Sequence, residues 1–216
     1  MSEAQAIAVL RKAIQNSRRP LVALSGGKDS LVVAHMAHNL GVKDFICETS
    51  FYFDSALNNI KSIVKDMGIS AVYRSSLDLA WLRRNSKVIF TPDTKIRSWG
   101  FAVRQQATVK KYAKEIASDL QIFGRRTQEN SVKSVLYETK AGKQCHPIRD
   151  WKHEEVWRYL SKHNIPRPLI YDTEFGKHEG NGPFYILNHR HCGGVDNCWE
   201  IVRSIDPRFH KGMLDA

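Results

Sequence analysis

Along this chain, apolar residues recur at spacings of three and four, then in short unbroken runs, then at three and four again. Residues 4–15 place Ala4, Ile7, Leu10 and Ile14 on one side of a helix. The run PLVAL (20–24) has strand length, and residues 28–40 return to helical spacing with Leu31, Ala34 and His38. DFICET (44–49) reads as a second strand, Asp54 as the N-cap of a helix ending at Gly68, and SAVYR (70–74) as a third strand. A helical run over 102–118 leads into a fourth strand, LQIF (120–123). Asp150 is placed to cap a last helix, WKHEEVWRYLSKHN, with Pro166 stopping it. This alternation predicts a three-layer α/β fold: a mostly parallel sheet of about five strands, flanked by helices. Segment 83–101 is irregular and basic, with Pro92 and Trp99, and is expected to form a long loop near the site. The expected organisation is one α/β domain over 1–175 and an irregular His- and Cys-containing tail of the same domain over 176–216.

Composition narrows the class. The 216 residues suffice for one α/β domain and are few for two. No apolar run reaches membrane-spanning length, and the first twenty residues lack the basic start and apolar middle of a signal peptide, so the expected location is cytoplasmic. Four cysteines, Cys47, Cys145, Cys192 and Cys198, would stay reduced there. Cys47 lies in a strand-like run and reads as a small buried hydrophobe. The net charge is +11, and between Trp81 and Lys143 basic residues exceed acidic ones by nine. Such a local excess attracts nucleotides or a nucleic-acid backbone, although a solvated basic face is the plainer reading of any single lysine.

SGGKDS, Ser25 to Ser30, stands between the first strand and the helix after it, where open parallel sheets bind ligands. Gly26 and Gly27 let the backbone turn and bring N–H groups toward an anion. The helix N-terminus and Lys28 add positive charge, and Ser25 and Ser30 add hydroxyl donors. The pattern suits a diphosphate. It is neither the G-x-x-x-x-G-K-[ST] loop nor G-x-G-x-x-G. Lys28 and Asp29 read as residues of a surface loop, so that replacing either by alanine is expected to leave the fold intact.

LVALSGGKDSLVVAHMA resembles the pyrophosphate loop of the N-type ATP pyrophosphatases, the adenine nucleotide α-hydrolase-like superfamily. GRRTQENSVK resembles the G-x-R-x-x-E-[SN]-x-x-[RK] element of the phosphoadenosine phosphosulfate (PAPS) reductase family, at Gly124, Arg126, Glu129, Asn130 and Lys133. HPIRDWKHEEVWRYLSKHNIPRPLIYD is similar to a third block of that family almost throughout. The resemblance implies an adenine nucleotide, ATP or PAPS, held by Ser25, Gly26, Gly27, Lys28, Asp29, Ser30, Gly124, Arg126 and Lys133. It also implies catalytic roles for Lys28, Asp29 and Arg126. On chemical grounds Arg126 can turn a planar fork to phosphate or sulfate oxygens, Glu129 can pair with it or cap a helix, and Lys133 adds charge if the segment curls back. Trp151, Val156, Trp157 and Leu160 read as packing of a helix on the sheet.

The chain departs from the reductase pattern at its end. No E-C-G-[LI]-H motif follows Cys198, and no adjacent cysteine pair is present, so no iron–sulfur cluster is expected. NHRHCGGVDNCWE instead groups His189, His191, Cys192 and Cys198. Three readings stay open: a structural tail, a metal site whose spacing matches no compact finger, and a nucleophilic Cys192 activated by nearby His. Two reactions fit the loop. In one, ATP is cleaved between its α- and β-phosphates with Mg²⁺ bridging oxygens. In the other, PAPS loses its sulfonate to a thiol regenerated by a thioredoxin-type reductant. A nucleic-acid thiolation or phosphorothioation enzyme and a non-catalytic nucleotide-binding module are the alternatives.

Overall fold

The computed structural model describes residues 1–49, 54–75, 79–88, 93, 95–96, 99, 107–128, 132, 134–139, 142–172, 200, 203–204 and 207. Its elements run α1 (Glu3–Gln15), β1 (Pro20–Leu24), α2 (Lys28–Asn39), β2 (Asp44–Glu48), α3 (Asp54–Asp66), β3 (Val72–Arg74), α4 (Leu79–Arg84) and a 3₁₀ turn (Ser86–Val88). They continue with α5 (Ala107–Glu115), β4 (Leu120–Phe123), β5 (Leu136–Thr139), β6 (Gly142–Cys145), α6 (His153–Lys162) and a second 3₁₀ turn (Leu169–Asp172).

The strands form one six-stranded sheet in the order β3-β2-β1-β4-β6-β5. All neighbours are parallel except β5, which runs antiparallel to β6 at the edge. The mostly parallel α/β class is as expected, with six strands in place of about five. The additional β5–β6 hairpin, LYET and GKQC, carries no apolar run; Leu136 there is 48% exposed. Polar, lysine-flanked segments suit an edge, where an apolar strand would invite aggregation.

Side chains alternate across β1. Val22 and Leu24 join the larger core with α1, α2, α3 and α6, while Leu21 points the other way and packs with Ile46 and with Val109, Tyr112 and Ala113 of α5. Helix α2 is buried nearly all round, from Lys28 through Ala34 and again at Met36 and Ala37, which is why its hydrophobic spacing blurs. On α1 the buried face is Ala6, Leu10 and Ala13; Ala4 is exposed and Ile7 and Ile14 are only half-buried, so the face is turned from the expected one. Asp54 lies within α3. Asp150 does not cap α6: it pairs with Arg149 at 3.1 Å in the preceding turn, and the N-cap is Lys152, whose N–H donates to Glu155 Oε2 at 2.6 Å. Trp151, Val156 and Leu160 are buried in the main core as expected, with Trp157 half-buried against it.

The descent into β1 is fixed by Asp119, just before β4. Its carboxylate accepts from the Ser17 hydroxyl at 2.5 Å and from the Arg18 and Arg19 N–H groups at 3.0 Å each. This tie sets the ends of the two central strands level, and with them the edge where the loop after β1 emerges.

Candidate nucleotide site

The SGGKDS loop leaves the carboxyl end of β1, an interior strand between β2 and β4, and enters α2. Gly26 has φ +70°, and a Cβ there would fall inside the Ile60 side chain. Gly27 is the N-cap of α2. Ser30 braces the turn: its hydroxyl donates to the Gly27 carbonyl at 2.8 Å and accepts from the Ser25 N–H at 3.2 Å. The Ser25 hydroxyl donates to Ser30 Oγ at 3.2 Å. Ser30 thus spends its hydroxyl proton within the loop.

Lys28 and Asp29 are interior residues, 1% and 8% exposed, which overturns their reading as surface-loop positions. Lys28 Nζ donates to Asp29 Oδ2 at 2.7 Å. Arg126, also 1% exposed, donates from Nε to Asp29 Oδ1 at 2.5 Å, and from Nη1 to Gln128 Oε1 at 2.9 Å and the Trp151 carbonyl at 3.3 Å. One carboxylate therefore sits between two buried cations at the first turn of α2. Burying such charges is costly unless each is paired, so the three residues must fold together. The guanidinium reaches the loop through Asp29, a contact the sequence did not name; the partner expected from sequence, Glu129, lies outside the described residues.

Gly124 opens the segment after β4. A Cβ there would stand 2.5 Å from the Asp29 carbonyl oxygen, so glycine is what lets this segment lie against the first turn of α2. Tyr171 was not singled out from sequence. Its ring is 4% exposed, and its hydroxyl oxygen accepts the Lys28 N–H at 3.1 Å. The residue belongs to the block read as architecture, and nothing in its spacing points 143 positions back. Glu129, Asn130, Lys133, His189, His191, Cys192 and Cys198 lie outside the described residues.

Of the thiols, Cys47 and Cys145 are fully buried in strands, Cys145 at the end of β6. Burial pushes the Cys145 thiol up to about 12, far from forming thiolate at neutral pH. His146 is stacked between Phe123 and Tyr137, with ring centroids 5.6 and 5.5 Å away. Burial first, then the charges of Arg125 and Arg149, press it down to about 4. Among the described residues no group of three His, Cys, Asp or Glu side chains is placed to hold a metal ion, and none of the helices is long and apolar enough to cross a membrane.

A parallel sheet with a glycine turn, buried lysine and helix N-terminus at a central strand's carboxyl end defines an α/β protein of the nucleotide-binding kind. The chain belongs to the phosphoadenosine phosphosulfate reductase domain family, whose model matches residues 19–179. It is 28% identical over 196 residues to the sulfate adenylyltransferase subunit 2 of Mycolicibacterium gilvum, covering 78% of this chain and 63% of that protein. Against the same subunit of Mycolicibacterium vanbaalenii it is 26% identical over 216 residues, covering 88% of this chain and 69% of the relative. The chain thus spans about two-thirds of the length of these relatives. The fold is shared with the crystal structure of PAPS reductase from Candida auris in its phosphate complex, at a TM-score of 0.61 and 14% identity over 79% of this chain and 85% of that one.

Proposed function

We propose that this protein binds an adenine nucleotide at Ser25–Ser30 and cleaves ATP between its α- and β-phosphates, transferring the adenylyl group to an acceptor oxygen in sulfur activation. The observation that carries this reading is the Lys28–Asp29–Arg126 network buried under the glycine turn at the end of β1. It gathers two buried cations on one carboxylate at the first turn of α2, beside the glycine turn proposed to hold the diphosphate. The two relatives named sulfate adenylyltransferase subunit 2 favour ATP over PAPS.

In the proposed step an acceptor oxygen attacks the α-phosphorus, the bond to the α–β bridging oxygen breaks, and pyrophosphate departs. Negative charge grows on that bridging oxygen. Loop N–H groups, the α2 N-terminus and the Lys28 ammonium are fixed before the reaction and stabilise that charge without reorganising. Asp29 and Arg126 hold Lys28 and the turn in place, and Gly124 allows the close approach of the β4 end. With its carboxylate taken by Lys28 and Arg126, Asp29 is committed to the protein; a magnesium ion entering with ATP would be carried by the phosphate oxygens.

A second reading, reduction of PAPS, is favoured by the family's name. It requires a thiol to take the sulfonate, and since Cys47 and Cys145 are sealed in the sheet, that leaves Cys192 and Cys198, of which Cys192 follows His191 in sequence. The two readings separate in one experiment. The purified protein is incubated with ATP–Mg²⁺ and sulfate, and separately with PAPS and reduced thioredoxin. Pyrophosphate release in the first supports adenylylation. Sulfite release only in the second, lost in Cys192→Ser, replaces it with sulfonate reduction. Release of neither product overturns both.

A further inference from the structure

We propose that Tyr171 is a positioning residue of the nucleotide loop: its phenol oxygen fixes the Lys28 N–H and thereby couples anion affinity to the docking of the 169–172 turn. This inference rests on the nucleotide reading of the loop.

The contact spans 143 residues of sequence. The Lys28 N–H belongs to the first turn of α2, where helix N–H groups have no partner within the helix. It is donated to Tyr171 Oη at 3.1 Å. A buried donor of this kind either finds an acceptor or drives the backbone to another conformation. The acceptor here comes from the far end of the matched family domain, and it is held from several sides. The Tyr171 ring meets Trp157 edge-on at 5.2 Å. The Arg167 guanidinium lies 4.6 Å from the Trp157 ring centre and 5.9 Å from that of Tyr171. Arg167 also pairs with Asp172 at 3.0 Å and donates to the Tyr171 carbonyl at 3.3 Å. The turn is pinned to α3 by the Leu169 N–H, which donates to Asn59 Oδ1 at 2.9 Å.

Two roles are open to a phenol at this place. It can compete with an incoming anion for the Lys28 N–H, or it can stay and set the loop. A competitor must leave when the ligand arrives. This ring is 4% exposed, packed on Trp157 and bracketed by Arg167, so leaving would unpack the turn. The geometry therefore favours the second role. The Lys28 N–H is turned into the protein, and the loop presents a fixed surface to phosphate oxygens. The Lys28 ammonium lies 5.9 Å from the centre of the same ring, so one side chain borders both the backbone and the charge of the site.

The test is Tyr171→Phe, which keeps the ring and removes the oxygen, read with inorganic pyrophosphate and with ATP by calorimetry. Amide exchange of Lys28 is followed in parallel without ligand. The expected result is an affinity for both ligands about three- to tenfold weaker, the range of one lost hydrogen bond, with Lys28 exchanging faster and the thermal midpoint nearly kept. Tyr171→Ala, which also removes the ring, should lower the thermal midpoint as well. Ligand binding to the parent should slow exchange of the Leu169 and Tyr171 amides by reciprocity, and this protection should be lost in the phenylalanine variant. Unchanged affinity in Tyr171→Phe, or tighter binding, overturns the inference; the second outcome would make the phenol a competitor. A parent that binds neither ligand overturns the nucleotide reading itself, and the inference falls with it.

Discussion

Asp29 carries two cations on one carboxylate, and its substitution separates charge from shape. Asn fills the same volume but removes the carboxylate charge that pairs with Lys28 and Arg126, each 1% exposed. Removing one partner of a buried ion pair costs about 3–5 kcal/mol. Asp29→Asn should therefore lose stability on that scale in urea denaturation as well as nucleotide affinity; a variant as stable as the parent would show that the triad adds nothing to the fold. His146 offers a test by pH. Its folded value of about 4 lies below the ordinary 6.5, so the native state binds fewer protons than the unfolded one in between. The stabilisation is complete above pH 6.5 and is lost as pH falls toward 4. Between pH 7 and 4.5 the protein should lose roughly 2–3 kcal/mol through this group. His146→Phe, which preserves the stack between Phe123 and Tyr137, should remove that part of the slope. An identical slope in parent and variant would place the acid sensitivity elsewhere.

At the scale of elements, legibility followed hydrophobic contrast. β1, β2 and β4 were readable because they are apolar runs between helical stretches, as buried parallel strands must be; β3, a half-buried edge strand, was read from the short run SAVYR. β5 and β6 were not, because an edge hairpin gains nothing from apolar residues. SGGKDS was legible as a turn and an anion cradle because glycines, lysine and position agree. Its interior wiring was not legible: the inward turn of Lys28, the Asp29–Arg126 pair and the Tyr171 hydrogen bond arise from tertiary contacts between separate segments. Asp119 is a case of the same kind. It stands in a plain turn in sequence, yet burial, which would raise its carboxyl, is outweighed by the Arg18 N–H, the Ser17 hydroxyl and the Arg19 N–H, which bring it down to about 2. A depressed carboxylate contributes stability above its unfolded value of 3.8 that is lost as pH falls toward 2. Asp119→Ala removes all three contacts and should cost about 1.5–3 kcal/mol at neutral pH, the range for hydrogen bonds to a charged group. The measured difference between variant and parent should shrink below pH 3; a difference constant with pH would mean that the carboxylate charge is not what holds β1 to β4.

For the whole molecule, the two faces of the sheet are covered by different helices. The sheet's larger core lies under α1, α2, α3 and α6, and the opposite face is covered by α5 among the described residues. Lys110, Lys111 and Lys114 stand exposed on α5, while Glu115 is engaged by Arg74, whose Nη2 donates to Oε1 at 2.8 Å. These lysines belong to the segment that carries most of the +11 charge. Their attraction for a polyanion is independent of the nucleotide loop, since they lie on a helix outside it. The alternative in which a nucleic acid is the acceptor then makes a separable prediction. Binding to duplex DNA should weaken steeply with salt, and each phosphate contact contributes about 0.9 to the slope of log affinity against log salt. Replacing Lys110, Lys111 and Lys114 together by Gln should make that slope shallower by about 2–3 while leaving ATP affinity at the parent value. Titration at several salt concentrations, monitored by fluorescence anisotropy of labelled DNA, measures it. A slope unchanged by the triple substitution would remove α5 from any nucleic-acid surface and leave the charge of this face as solvated lysines.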